Sequence, residues 1–347
     1  QRYEIDYLIC LFLNRFPKLK KYREAHRQYV ANKFGKYVAE YAIANNADCV
    51  IMYDSTATKC FEILREKAPR IKRILDVSIA TRQFQKMNFK TDMKLTGEDY
   101  LRKEFPEYWE DKRSKSFQRE IEIATGFMVP SQIVKESLVY CGANENTIRI
   151  VPYGVDIEKF SYVEREEQSG VRSCDLRIIY VGQVSYRKGI HHLLKVVCDQ
   201  KKYHIEVDLV GSYDRSGVIY SRYNACQNIH FHGFITRDEL AKYYQSADVF
   251  VFPTLGEGYG LVVLEAMSCG LPVISSDLAG GNDAIIDGEN GLVFRAGDDD
   301  DLFRCLEWFI QNQNKHLEMK RKARTTAEGL TWNTYCTNYV SKLHEIV

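Results

Sequence analysis

The sequence predicts an α/β protein made of two doubly wound, Rossmann-like domains. Three observations predict it. Strand-like apolar runs alternate with helix-like runs along most of the 347 residues, the pattern of a parallel sheet flanked by helices. That length exceeds one ordinary core and suits two domains. A polar stretch without apolar periodicity, SYVEREEQSGVRS (Ser161–Ser173), separates the two series and reads as a linker. The expected units are 1–160, 174–328 and a final amphipathic helix over 329–347.

In the first series, DCVIMYD (Asp48–Asp54) and IKRILDV (Ile71–Val77) read as buried strands, with a helix pattern between them that runs to Lys67. Helical segments fill 97–123, followed by strand TGFMVP, helix SQIVKESLVYCG and strand TIRIVPYG. Ser131, after Pro130, suits that helix's N-cap, and Gly142 its C′ position. The first fifty residues read as mostly helical, and no glycine-rich strand–turn–helix unit precedes Asp48. Such a strand–loop–helix is therefore expected ahead of the present start.

The second series gives strands DLRIIYVG, HIEVDLVG, NIHFHG, DVFVFP and PVISS, and helices RKGIHHLLKVVC, RDELAKYYQSA and LVVLEAMSCG. This is a doubly wound order.

Composition narrows the partners. Hydrophobic content of 45% and charged content of 27% are those of a globular chain. Residues 1–150 hold 27 Lys and Arg against 20 Asp and Glu, and the rest 21 against 27, so a net +1 hides a basic first half. That asymmetry points to an anionic partner such as a membrane surface, or to a solvated basic face. No nucleic-acid partner is expected, and the oligomeric state stays open. Ten scattered cysteines without a C-x-x-C pair argue against a zinc site and a dense disulfide framework. They suit reduced thiols in a cytoplasm. The apolar run Tyr7–Leu13 is too short to span a bilayer and lacks the flanks of a secretory signal.

Two segments carry chemistry. In YVGQVSYRKGIHHLL a buried strand ends at Gly182 and a helix begins near Lys188. A lysine in a helix's first turn is unfavourable unless an anion lies between it and the helix start. Arg187 would add a second cation, although both side chains could equally point into solvent. In PTLGEGYGLVVLEAMSCG a strand leads through a glycine-rich turn into a helix. Gly258 and Gly260 let backbone approach a ligand around Tyr259, with Leu261 opening the helix. Two helix starts and a lysine at one sheet edge suggest a diphosphate. Glu265 sits inside an apolar helix, where a carboxylate needs a partner. A ribose meets that need, and so does a salt bridge to an arginine. Glu257, at the loop, is placed to accept from the hydroxyls of a sugar beyond the diphosphate. Asp54 and Asp76 end the first domain's strands and could touch an acceptor, with an N-cap the better reading for Asp54. His191 and His192 are adjacent on a helix and are not expected to share a face. The run Asp298–Asp301 reads as solvated acid near a helix start.

These residues resemble the family 4 retaining glycosyltransferases, which have the GT-B fold, and the resemblance implies two domains facing a central cleft with the C-terminal helix packed back toward the first. The resemblance rests on two glutamates with seven residues between them, Glu257 and Glu265, with Gly258, Tyr259 and Gly260 after the first. It also rests on VGQVSYRKG, on LVGSYD with Gly211, on FHGFITRDELAKYYQSADVFVFPT and on the junction VPYGVD. It covers about 120–300 closely.

The resemblance implies a nucleotide-sugar donor held by the second domain, with the base met by backbone near Phe234 and Ile235. It implies catalytic roles for Glu257 and Lys188, and an acceptor in the first domain, either a glycan or a lipid-linked glycan. Neither metal nor cofactor is implied. The implied chemistry is transfer with retention, in surface polysaccharide or glycolipid synthesis, with a peripheral place at the inner membrane face. Gln183 departs from the pattern, which has arginine there. A nucleotide-sugar epimerase and a non-catalytic nucleotide-sugar-binding subunit are the alternatives.

Overall fold

The computed structural model describes residues 20–104, 111–163 and 174–347. The apolar run Tyr7–Leu13, most of the linker and part of the 97–123 segment lie outside these residues.

Two parallel sheets carry the chain. The first domain opens with helix α1 (Lys20–Ala44), then β1 (Cys49–Tyr53), α2 (Thr58–Lys67), β2 (Lys72–Asp76), α3 (Arg82–Thr96) and the short α4 (Tyr100–Glu104). It continues through α5 (Asp111–Ile123), β3 (Gly126–Val129), α6 (Gln132–Tyr140) and β4 (Ile148–Ile150). Its strands lie in the order β1-β2-β3-β4, all parallel. Each step needs a crossover, and the intervening helices supply it.

The second domain holds β5 (Leu176–Val181), α7 (Ile190–Asp199), β6 (Ile205–Val210), α8 (Val218–Tyr223), β7 (Ile229–Gly233) and α9 (Arg237–Ser246). Next come β8 (Val249–Phe252), α10 (Leu261–Ser268), β9 (Val273–Ser276), β10 (Gly291–Phe294), α11 (Asp299–Gln311) and α12 (His316–Gly329). Strand order is β10-β9-β8-β5-β6-β7. The winding reverses between β5 and β8, so their carboxyl ends open a crevice, the place where such sheets bind ligands. Every residue of β8 and β9 is buried, as a central strand covered on both faces requires. Tyr180, Phe250 and Phe252 are among the largest fully buried side chains, directly beneath that crevice.

The final helix α13 (Trp332–His344) leaves the second domain and lies on the first sheet. Tyr335, Tyr339 and Leu343, with Ile346 just beyond, pack against Ile74, Met128 and Val151. Arg149 pairs with Glu345 at 2.8 Å beside them. At the junction a Cβ on Gly154 would collide with the backbone of Thr331 and Trp332.

Three local readings change. Helix α2 starts at Thr58, so Asp54 is not its cap. Buried Glu120 does that work from α5, accepting the amides of Ala57 and Thr58 at 2.8 and 3.0 Å and that of Ser55 at 2.7 Å. Ser131 stands at the N-cap of α6, but its hydroxyl is directed away from that helix. The sequence reading also left α3 without an element. Gly142 takes its αL place, with φ of 92°. Among the described residues no helix is long and apolar enough to cross a membrane.

Candidate functional site

Two strand–turn–helix units meet at the crevice. The first follows β5. Gly182 and Gly211, with φ of 146° and 136°, let the ends of β5 and β6 touch; a Cβ on Gly211 would strike the Gly182 carbonyl. The chain then makes a 3-10 turn, Tyr186–Lys188, and Gly189, in αL conformation, caps α7. Lys188 thus precedes the helix instead of sitting in its first turn. The geometry that makes it an anion ligand is different. A side chain at Gly189 would run into the Pro253 carbonyl, and the Leu255 amide donates to the Arg187 carbonyl at 3.0 Å. The turn is therefore stitched to the loop after β8.

That loop is the second unit. It ends at Gly260, whose φ of 80° starts α10. The carboxylate of Glu257 receives the Lys188 ammonium and, at 3.3 Å, Nη1 of Arg187. All three side chains are largely buried, at 13–17% exposure. Burial would push the Glu257 carboxyl up, but Lys188 and Arg187 overcome it and hold it below the usual range. Burial draws the Lys188 ammonium down, and Glu257 only partly restores it. Two cations therefore meet one carboxylate in a desolvated place, so positive charge is already gathered and preorganised there. The Phe252 ring lies 5.3 Å from the ammonium.

Glu265 is half-buried on α10. Burial raises its carboxyl above the usual range, against the longer-range pull of Arg237 and the hydroxyl of Tyr244 at 3.3 Å. Tyr259 is buried against Tyr153, ring centroids 5.4 Å apart. The first domain grips the loop here. Ser131 Oγ donates to the Gly258 carbonyl at 2.5 Å, and a Cβ on Gly258 would meet the backbone of Ser78 and Ile79. The Gln132 amide donates to Asp283 at 2.8 Å.

The other expected site residues lie around this centre or apart from it. Leu261 begins α10 at the loop. Gln183 is exposed, and its carbonyl accepts the Tyr180 hydroxyl at 2.9 Å. Phe234, 84% exposed, and Ile235 follow β7, the sheet edge. Asp76 is buried and takes the Tyr339 hydroxyl of α13 at 2.8 Å. Asp54 is half-buried one strand away, with its carboxyl raised by burial.

The pair His191 and His192 corrects the helix-face argument. Both are buried and both reach Asp92 of α3, at 3.6 and 2.7 Å. Their rings need not share a helical face when the partner comes from another domain. Asp92, His191 and His192 are, among the described residues, three groups whose ligand-type atoms lie within 4.8 Å of one another. Most of their polar atoms carry hydrogen bonds, although the buried Nδ1 of His191 has none. His192 bonds Asp92 and, through Nδ1, Asp299 at 2.6 Å, while Tyr100 Oη lies 2.7 Å from Asp92 and 2.8 Å from His191. Asp299 also takes Lys195 at 2.7 Å, so two carboxylates here face His192 and Lys195. The aspartate run is only partly solvated: Asp298 caps α11 and Asp299 belongs to this seam.

The fold and this crevice define a GT-B glycosyltransferase framework. Residues 164–326, which hold the two strand–turn–helix units, match the sequence model of the group 1 glycosyl transferases. The family 4 resemblance is compatible with this match. The chain is 31% identical over 219 residues to a sulfoquinovosyl transferase of Arabidopsis thaliana, covering 60% of this chain and 42% of that protein. The chain spans about half the length of the curated relatives it matches. A sucrose-phosphate synthase of Thermosynechococcus elongatus superposes with a TM-score of 0.71 at 20% identity, over 92% of this chain and 78% of that one. HepE of Anabaena, solved with UDP, gives a TM-score of 0.66 at 15% identity, over 90% and 82%. At these identities the structures show the fold.

Proposed function

We propose that the chain moves a sugar, with retention at the anomeric carbon, from a nucleoside-diphosphate sugar to a glycan or lipid-linked acceptor. The observation that carries this reading is the buried cluster of Arg187, Lys188 and Glu257 at the switch point of the sheet. Its two buried cations suit a diphosphate, and preorganised donors of this kind stabilise a leaving diphosphate without reorganising. Glu257, at the glycine-rich loop, is placed for the sugar's hydroxyls, and Glu265 for the ribose. The UDP bound by the HepE framework supports a nucleoside diphosphate here. Attack comes from the face the diphosphate leaves, so the first domain's edge near Ser78 and Asp76 meets the acceptor. The basic first half, with Tyr22, Tyr29, Tyr37 and Tyr41 exposed on α1, supports a membrane-surface acceptor.

Thermal shift against UDP, GDP, ADP and CMP identifies the base; a ligand at a hundredfold its dissociation constant adds about 2.7 kcal/mol to apparent stability. Sugar conjugates of the best ligand then serve as donors, and NMR of the product's anomeric proton reads retention. Undiminished transfer or donor hydrolysis by Glu257→Ala would remove Glu257 from the site. Conversion of a nucleotide-sugar without any acceptor would favour an epimerase.

A further inference from the structure

The segment from Tyr186 to His192 belongs to the second domain and is stitched to the loop after β8, yet it takes further fixed points from the first domain. The Tyr186 amide donates to Oε2 of Glu104, on α4, at 2.9 Å. The Tyr186 ring stacks on Tyr100, centroids 3.8 Å apart and planes 16° from parallel. Two turns of chain later, His192 is bonded to Asp92 of α3 at 2.7 Å and anchored behind by Asp299. Tyr100 ties these together, since its hydroxyl lies within hydrogen-bond reach of both Asp92 and His191. Arg187 and Lys188 are the side chains of this gripped segment that meet Glu257.

We propose that Asp92, Tyr100 and Glu104 are positioning residues for the donor site, acting across the domain seam to hold Arg187 and Lys188 in place. The consequence is that the placing of the diphosphate-binding charge, begun within the second domain, is completed when the two domains are docked. None of the three needs to touch a ligand. Their effect passes through a buried, charge-balanced hydrogen-bond network, in which loss of one partner leaves its mate uncompensated. The functional consequence rests on the donor site proposed above, but the geometry can be tested without any donor.

The experiment is competitive acetylation of the intact protein by acetic anhydride, read by mass spectrometry at Lys188 against exposed Lys36. In the wild type Lys188 is shielded by Glu257 and the seam. Asp92→Asn, and separately the milder Tyr100→Phe, are expected to raise the relative Lys188 rate about tenfold, equivalent to about 1.4 kcal/mol. Phe61→Leu, in the first domain's core, serves as a control for lost stability alone and leaves the ratio unchanged. An unchanged ratio in a folded Tyr100→Phe protein overturns the proposal, as does an equal rise in the Phe61 variant. One equivalent of zinc retained by the purified chain also overturns it, because a metal would then be what holds the seam. If no nucleotide-sugar is turned over but the labelling behaves as stated, the positioning holds and the transfer reading fails.

Discussion

Nε2 of His192 stands 2.7 Å from Oδ1 of Asp92, joining α7 of the second domain to α3 of the first. Burial alone would make His192 a weaker base. The bonds to Asp299 and Asp92 overcome it and raise the ring to about 9 from an ordinary 6.5. The native state then holds the proton that the unfolded chain releases between these values. This stabilisation is complete below pH 6.5 and is lost as pH rises through about 9, on the order of 3 kcal/mol. Neighbouring His191 works oppositely: burial lowers it to about 4, so its contribution is complete above 6.5 and fades on acidification. Asp92, Asp299, Tyr100 and Lys195 complete the surroundings. The melting temperature should therefore peak near pH 6.5 and fall toward 9.5, and His192→Gln should flatten the alkaline limb.

Glu257→Gln keeps the shape of the loop and removes its charge. Two buried cations then lose their shared counterion, which costs about 3 kcal/mol. A nucleoside diphosphate should recover part of that loss, so the variant's thermal shift on ligand addition should exceed the wild type's. An equal shift would mean that the anion does not sit at Arg187 and Lys188.

Gly258 lies between the domains with no room for a side chain. Alanine there would bring its Cβ against Ser78 and Ile79 backbone, including a contact of 2.7 Å to Ile79 Cα. Backbone cannot move aside as a side chain can, and overpacking of this kind costs about 1–3 kcal/mol. Donor turnover should fall more than stability does, measured as kcat/KM beside the melting temperature.

Tyr339→Phe deletes the hydroxyl that Asp76 accepts at 2.8 Å. A buried acceptor left without its donor costs about 1–3 kcal/mol. Urea unfolding should show this loss with little change in nucleotide affinity, since the bond lies on the first sheet and away from Lys188.

Vesicle flotation tests the acceptor side. Retention on anionic vesicles at low salt, lost at high salt, is the expected outcome for a basic face. No retention at low salt would remove the membrane from the proposal.

The fold was legible because parallel strands covered on both faces read as short apolar runs, VFVF and VISS being the clearest. The crevice loop was legible for a similar reason: Glu257, Gly260 and Glu265 lie within nine positions and interrupt an apolar pattern. What escaped reading was the pairing of individual polar residues across a long sequence separation. Asp92 and His192 are a hundred positions apart, and Asp76 and Tyr339 are 263 apart. No periodicity announces such a pair. Glu120 was missed for the same reason, since a cap is ordinarily sought beside the helix and this one comes from α5. The adjacency argument against His191 and His192 was sound for one helix surface and failed because α3 and α4 approach from the other domain.

Helix α13 begins where the second domain ends and lies on the first sheet, closing over Ile74, Met128 and Val151. The two halves are thus interleaved along the chain, and no single cut can free them as packed pieces. A first half severed at the linker would leave that apolar face bare, while the second would keep a helix with nothing to cover. Any recombination that exchanges one half for a homologue must carry both ends of the chain together, or rebuild that seam from scratch.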